Sequence, residues 1–136
     1  MTYKEIISIL GGYKYAKRQY ETAKRNLEEA EAAMTSVAID YTKPRVMTSR
    51  IDDISGAIVR LIRLRRIYEK TMLEAAEHME EVDTMIRSVP DPTQKDLLYK
   101  RYIQCKTWEQ VAEELGYGRR HVYKLHGQAI SFLSQR

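Results

Sequence analysis

Basic side chains recur at helical spacing near the end of the chain, between Arg119 and Gln128. Arg120 and Lys124 stand four residues apart, so on a helix they share one face. Arg119 lies at the predicted start of that helix, where its guanidinium can reach a phosphate. Cations at this spacing suit the base edges and phosphates of double-stranded DNA. The predicted DNA-binding residues are Arg119, Arg120, His121, Tyr123, Lys124, Gly127 and Gln128.

Two predicted helices position these side chains. Thr107 and Gln110 fit the T-x-x-Q form of a capping box, which begins the first helix. Gly116 is placed to end that helix in the left-handed conformation, and Gly118 caps the next one more weakly than Ser or Asp would. The apolar residues of the second helix recur with a 3.6-residue period, at Val122, Leu125, Ala129 and Leu133. Two helices around a short glycine-containing turn, the second basic on its outer face, predict a helix-turn-helix.

The preceding residues Leu97, Leu98, Tyr102 and Ile103 have helical spacing and predict a third helix. From Leu97 to Leu133 the chain resembles region 4 of bacterial sigma factors, a three-helix DNA-binding unit. The matching residues, in order, are Arg101-Tyr102, Thr107, Val111-Ala112, Leu115-Gly116 and Val122. Cys105 replaces the usual turn glycine and Gly118 the usual capping serine, so this chain departs from the pattern at two turns. His126 and Trp108 are interpreted as packed residues rather than DNA contacts.

The first part of the chain repeats in sevens. One seam contains Ile6, Tyr13, Tyr20, Leu27 and Met34, each followed three residues later by Ile9, Ala16, Ala23, Ala30 and Val37. A second seam begins with Ile51 and Ile54 and continues to Ile86 and Val89, interrupted by Arg65. Pro44 breaks the period in residues 40–50. Two matched seams around a loop predict a long, coiled-coil-like antiparallel helical hairpin, with Gly11-Gly12 as a weak point.

This hairpin has more apolar residues than a single pair of helices can cover. The surplus predicts an oligomerisation module, most simply a dimer with a four-helix core. The predicted oligomerisation residues are Ile54, Ile58, Leu61, Ile62, Leu64, Ile67 and Tyr68. Arginines 60, 63, 65 and 66 are interleaved with them. We interpret these arginines as partners of acids on facing helices, such as Glu28, Glu29 and Glu31; a second contact to DNA or polymerase is the alternative.

The fold class is therefore all-α: the hairpin over 1–89, then a three-helix helix-turn-helix domain over 90–136, with Pro90 and Pro92 at the boundary. The net charge of +4 falls entirely after residue 92, where 8 Lys/Arg meet 4 Asp/Glu. A basic module beside a neutral one favours a polyanionic partner for that module.

Several functional classes are excluded by composition and spacing. The mean hydropathy is −0.54 and apolar runs are short, so we expect no membrane span or signal peptide. A single cysteine fits a reducing cytoplasm. Cys105 and the three histidines have no metal-ligand spacing, and no nucleophile–base pair is present, so we expect neither cofactor nor enzyme activity.

Taken whole, the chain resembles a family of small phage and prophage proteins of Gram-positive bacteria, of the DUF1492 type. The resemblance rests on D-Y-T-K-P-R-V and on the stretch from Leu97 to Ala129. It implies a regulator of late phage genes that binds promoter or operator DNA in the cytoplasm of the bacterial host. Two alternatives stay open: a DNA-packaging recognition subunit resembling small terminase, and an interaction module that binds RNA polymerase.

Overall fold

The computed structural model describes residues 1–39 and 47–135, and the side chains within 1–35 and 52–135. Its α-helices are α1 (Tyr3–Ile39), α2 (Met47–Arg87), α3 (Pro92–Leu98), α4 (Trp108–Leu115) and α5 (Arg119–Ser134). A π-helical turn, Tyr99–Ile103, follows α3. The described residues contain no β-strand, which confirms the predicted all-helical class.

The helical limits differ slightly from the predicted break at residues 40–50. α1 continues to Ile39 and α2 already begins at Met47, so residues 47–50 are helical. Pro44, which predicted the break, lies outside the described residues. α1 also runs unbroken through Gly11-Gly12. A side chain at Gly12 would meet His78 of α2, since an added Cβ would lie 3.2 Å from its Nδ1. Gly12 therefore lies against the side chain of His78.

The heptad pattern of α1 is largely reproduced by its burial. Ile6, Ala16, Ala23 and Leu27 are buried, although Leu10, outside the predicted seam, is buried too. Along α2, Ala75, Val82 and Ile86 are buried, as is Val89 just after the helix. Ile54, Ile58, Met72 and Met79 of the predicted seam stay exposed, as does Arg65. Within one chain, only part of the apolar surface of α2 is therefore buried.

The chain divides into two compact units. One contains residues 1–16 and 74–136, and the other contains residues 17–73. In the second unit the rings of Tyr20 and Tyr68 meet with centroids 5.5 Å apart. That contact joins α1 to α2, and it places Tyr68, a predicted oligomerisation residue, against its own chain.

The first unit contains the main hydrophobic core. Ile6 and Leu10 of α1 share this core with the end of α2 and with α3 to α5. The end of α2 contributes Val82 and Ile86 to this core, and Val89 joins them two residues after the helix. The core therefore extends across the boundary predicted between residues 89 and 90. The division of the chain into an oligomerisation domain and a DNA-binding domain stays a prediction about function.

The predicted third helix is two kinds of helix in succession. Asp91 caps α3 by accepting a hydrogen bond from the Thr93 amide, and Pro92 occupies the first turn. After Leu98 the hydrogen bonds lengthen to the π pattern, as the Gln104 amide donates to the Tyr99 carbonyl over 3.0 Å. Leu97, Leu98 and Ile103, which predicted this helix, are buried in the core.

Candidate nucleic-acid interface

α4 begins with the predicted capping box. The Gln110 amide donates to the Thr107 hydroxyl over 3.2 Å, and the Thr107 amide donates to Gln110 Oε1 over 3.0 Å. Two amides at the helix start are thereby satisfied. Val111 and Ala112 are buried, and Leu115 packs against the same core. The short helix is consequently fixed both at its start and along its inner face.

A three-residue turn connects α4 to α5. Gly116 ends α4 at φ 72°, the left-handed conformation that glycine adopts without strain. The Tyr117 amide donates to the Ala112 carbonyl over 3.0 Å, which closes the end of α4. Gly118 then starts α5 in an extended conformation without a side-chain hydrogen bond. Both glycines thus have the conformations that the sequence predicts.

α5 has two chemically distinct sides. Its inner side is buried at Val122, His126, Ala129, Ile130 and Leu133. The predicted DNA-binding residues are all exposed, and they are Arg119, Arg120, His121, Tyr123, Lys124, Gly127 and Gln128. The helix thus brings this set together on the side away from the core.

The basic residues near α5 differ in whether their charge is already paired. Arg119 forms an ion pair with Glu109 of α4. Lys100 and Lys106 both approach Glu114, and the hydrogen bond from Lys106 lowers the pKa of that carboxyl. These contacts neutralise part of the positive charge that the sequence places in this region.

Arg120 and Lys124 are different. Neither forms a hydrogen bond or ion pair with any residue in the described part of the chain, and both side chains are exposed. Their cationic groups therefore remain available to an anionic ligand. A mid-helix glycine, Gly127, lies three residues after Lys124, and a Cβ added there would meet nothing within 4 Å.

Trp108 anchors the beginning of α4 against α5. Its ring meets the ring of His126 edge to face at 4.8 Å and that of Tyr123 at 5.3 Å. The Arg101 guanidinium lies 4.6 Å from the Trp108 ring centroid and donates to the Lys106 carbonyl over 2.9 Å. Trp108 and His126 therefore have the packed positions that the sequence predicts. Trp108 also packs against the ring of Tyr123.

His126 is buried beside Tyr102. The Tyr102 hydroxyl and His126 Nε2 lie 2.8 Å apart, within hydrogen-bond distance. Burial lowers the pKa of His126 to about 4, and the nearby Arg101 charge lowers it further in the same direction. Burial likewise raises the pKa of Tyr102 to about 12. At neutral pH both groups are therefore uncharged and serve the packing of α5.

The structure adds two neighbours to the predicted face. Gln94 of α3 donates to Gln128 Oε1 over 3.3 Å, so the start of α3 lies beside the outer side of α5. The Tyr117 and His121 rings meet edge to face at 4.7 Å. Gln94 stands 34 residues from its partner and has no local motif, so only the fold reveals it.

The family comparison covers most of the chain. The model of a family described as "Protein of unknown function (DUF1492)" matches residues 34–134. The chain belongs to this family. No curated protein and no solved structure matches it.

The DUF1492 match begins inside α1 and includes every residue of the predicted DNA-binding face. Among the described residues of this DUF1492 chain, no three His, Cys, Asp or Glu side chains are grouped to hold a metal. None of the described helices has the length and apolar content needed to cross a bilayer. The site is an exposed basic face of α5, on which Arg119 is paired and Arg120 and Lys124 have no ion-pair partner among the described residues.

Proposed function

We propose that this protein is a DNA-binding regulator of phage or prophage transcription. α4, the turn at 116–118 and α5 would act as a helix-turn-helix, with α5 in the major groove of a promoter or operator. The two preceding segments, α3 and the π-helical turn, complete the supporting core. This arrangement gives the exposed side of α5 a rigid base, which groove recognition requires.

The unpaired cations Arg120 and Lys124 carry this proposal. Arg119, in the first turn of the same helix, already pairs its charge with Glu109. Arg120 and Lys124 instead project from the second helix with no intramolecular partner among the described residues. The sequence assigns base contacts to the same two residues. An anionic ligand would supply the missing partners.

The residues of this face would have two roles, contacting base edges and contacting the phosphate backbone. Arg120 and Lys124 lie farthest from the buried side of α5 and would reach base edges. Arg119, at the helix start, would exchange its contact with Glu109 for a backbone phosphate. Tyr123, His121 and Gln128 would flank these contacts, and Gly127 would allow the helix backbone to approach the duplex.

The proposal is tested by comparing Arg120→Ala with Arg119→Ala on cognate and scrambled duplexes at several salt concentrations. Sequencing the duplexes that the purified chain retains from a random pool supplies the cognate site. An arginine hydrogen-bonded to guanine contributes roughly 1–3 kcal/mol to discrimination against other bases. Arg120→Ala should therefore lower the affinity for the cognate duplex and reduce the difference in affinity between the cognate and scrambled duplexes. Arg119→Ala should weaken both duplexes and reduce the log–log salt slope by about one unit.

Arg87→Ala is the matched control, since it removes the same charge from the end of α2, where Arg87 pairs with Asp83. It should change neither affinity by more than about twofold, the scale of one exposed charge. If Arg120→Ala weakens binding to both duplexes equally, Arg120 contacts phosphate, and α5 lies in the groove with a different rotation from the one proposed. If the wild-type chain retains no duplex from the pool, the DNA-binding proposal is wrong.

The regulatory part of the proposal rests on the likeness to sigma region 4 and to phage proteins. Mapping the DNA that the protein occupies in its host separates promoters from packaging sites. Enrichment at promoters supports a regulator, whereas occupancy of one site near the packaging genes supports a packaging subunit. Binding to polymerase without any duplex binding would favour the interaction module.

A further inference from the structure

α2 carries a strip of exposed apolar side chains within the compact unit of residues 17–73. Ile54, Ile58 and Ile62 recur every four residues, and Met72 and Leu73 continue the same side three turns later. All five are between 40% and 60% exposed. An exposed apolar strip of this kind is typical of a surface that binds another protein.

Two opposite charges interrupt this strip at its middle. Arg65 and Glu69 lie between Ile62 and Met72 at helical spacing, so both fall on the strip. They are four residues apart, yet they form no ion pair with each other. Neither has a hydrogen bond or ion pair to any other residue that the structure describes. From its N-terminal to its C-terminal end, the strip therefore consists of isoleucines, then a cation, an anion, and finally Met72 and Leu73.

The four central residues of this strip, Ile62, Arg65, Glu69 and Met72, are complementary to their own reverse. If a second α2 lies antiparallel on the strip, Arg65 of each chain faces Glu69 of the other. Ile62 then faces Met72, because both pairs are centred on the same point of the helix, residue 67. A parallel partner would instead place Arg65 on Arg65, a repulsive contact. Charge and apolar pattern therefore select one orientation.

We propose that α2 forms a two-fold symmetric dimer with a second copy of this chain, antiparallel, in which Arg65 faces Glu69 and Ile62 faces Met72 across the axis. Each Arg65–Glu69 contact occurs twice, once on either side of the symmetry axis, as an isologous interface requires. The axis passes between Arg65 and Glu69. The proposal does not depend on DNA binding.

The proposal narrows the set of oligomerisation residues predicted from the sequence. Leu61, Leu64 and Tyr68 are half-buried within their own chain, and Tyr68 packs on Tyr20. Ile67 is 45% exposed but lies about 140° around the helix from Ile62, at 100° per residue. It shares that side with Arg60 and Arg63. Ile67 therefore lies outside the proposed interface.

Charge exchange tests the contact between Arg65 and Glu69 directly. Light scattering at micromolar concentrations should give the wild-type chain twice its mass of 16.0 kDa. Arg65→Glu and Glu69→Arg should each weaken the dimer by about tenfold or more, since like charges then face each other. Mixing the two variants in equal amounts should restore the dimer as a heterodimer, because both contacts again join opposite charges.

Ile62→Asp and Ile67→Asp provide the matched apolar test, as the two isoleucines are similarly exposed on different sides. Ile62→Asp should abolish the dimer and Ile67→Asp should leave it intact, with circular dichroism confirming that both variants remain helical. A monomeric wild-type chain, a dimer insensitive to either charge reversal, or a mixture that stays monomeric would each overturn the proposal. Equal loss of the dimer in both aspartate variants would also overturn it.

Discussion

Cys105 adopts a backbone conformation that residues with side chains rarely occupy. Its φ is 56°, and it is the one described residue other than glycine with a positive φ. The left-handed conformation costs a residue with a Cβ roughly 1–2 kcal/mol. The thiol lies within weak hydrogen-bonding distance of two carbonyls, 3.7 Å from that of Ile103 and 3.9 Å from that of Tyr102. Glycine adopts this φ without strain, because it has no Cβ.

Replacing Cys105 by glycine should therefore stabilise the protein. Relief of the strained φ exceeds the extra entropy of glycine in the unfolded chain, so we expect a gain of roughly 0.5–1 kcal/mol in unfolding free energy. Urea unfolding under reducing conditions measures the change. Cys105→Ala is the control, since alanine keeps the strain and should bring no gain. If the two variants are equally stable, the turn is not strained.

Burial of His126 makes the stability of the protein depend on pH. Its pKa is about 4 in the folded chain, against an ordinary value near 6.5. On acidification the unfolded chain therefore binds this proton first, so stability is full above pH 6.5 and falls towards pH 4. Allowing for partial solvent access, we expect a loss of roughly 2 kcal/mol over this range.

His126→Gln should remove most of this pH dependence between 6.5 and 4. The glutamine amide can still hydrogen-bond the Tyr102 hydroxyl but does not titrate in this range. Urea midpoints at half-unit pH intervals provide the measurement, and His121→Gln, an exposed histidine on the same helix, is the control. A slope that persists in His126→Gln would assign the acid sensitivity to carboxylates instead.

At the scale of the helix, Gly127 lowers the stability of α5 without a visible structural reason. A Cβ at this position would meet nothing, and glycine in a helix interior costs about 1 kcal/mol relative to alanine. Gly127→Ala should therefore raise the unfolding free energy by about that amount. If α5 approaches DNA closely at this point, the same variant should bind duplex DNA less tightly.

These opposite effects distinguish a functional glycine from an incidental one. Gly11→Ala serves as a comparison, because Gly11 is also a helical glycine with open space around it. It should stabilise the chain similarly and leave DNA affinity unchanged. A Gly127→Ala variant that is more stable and binds DNA normally would remove Gly127 from the proposed interface.

The helices with strong local signals could be predicted from the sequence. Thr107, Gln110 and Gly116 act through hydrogen bonds and backbone conformation within a few residues, so α4 has the predicted limits. The π-helical turn at Tyr99–Ile103 could not be predicted, because its residues have ordinary helical spacing. Likewise, the Gln94–Gln128 contact depends on how α3 packs on α5, and no local pattern encodes that packing.

At the scale of the molecule, the C-terminal helices share their core with the start of α1 and the end of α2. Ile6, Leu10, Val82, Ile86 and Val89 are at most 3% exposed, and all belong to this core. Removing residues 1–89 would expose the apolar surface that they cover. A boundary drawn at the prolines therefore separates sequence patterns but cuts through packed side chains.

The isolated fragment 90–136 should accordingly be poorly folded. Its helices lose five large apolar partners, each contributing roughly 1.5–3 kcal/mol when fully buried, which exceeds what a 47-residue fragment can spare. Circular dichroism should show low helicity and no cooperative thermal transition, whereas the full chain should unfold cooperatively. A fragment that melts cooperatively would show that the first helix and the end of α2 are dispensable for this core.

Trp108 gives the protein an intrinsic optical reporter. It is the single tryptophan of the chain, and its indole contacts both the Arg101 guanidinium and the His126 ring. Emission on selective excitation therefore originates at the junction of α4 and α5 and nowhere else in the sequence. Separation of the two helices would change that emission, and so would a charge on His126. Stopped-flow fluorescence can thus time events at this junction without any label.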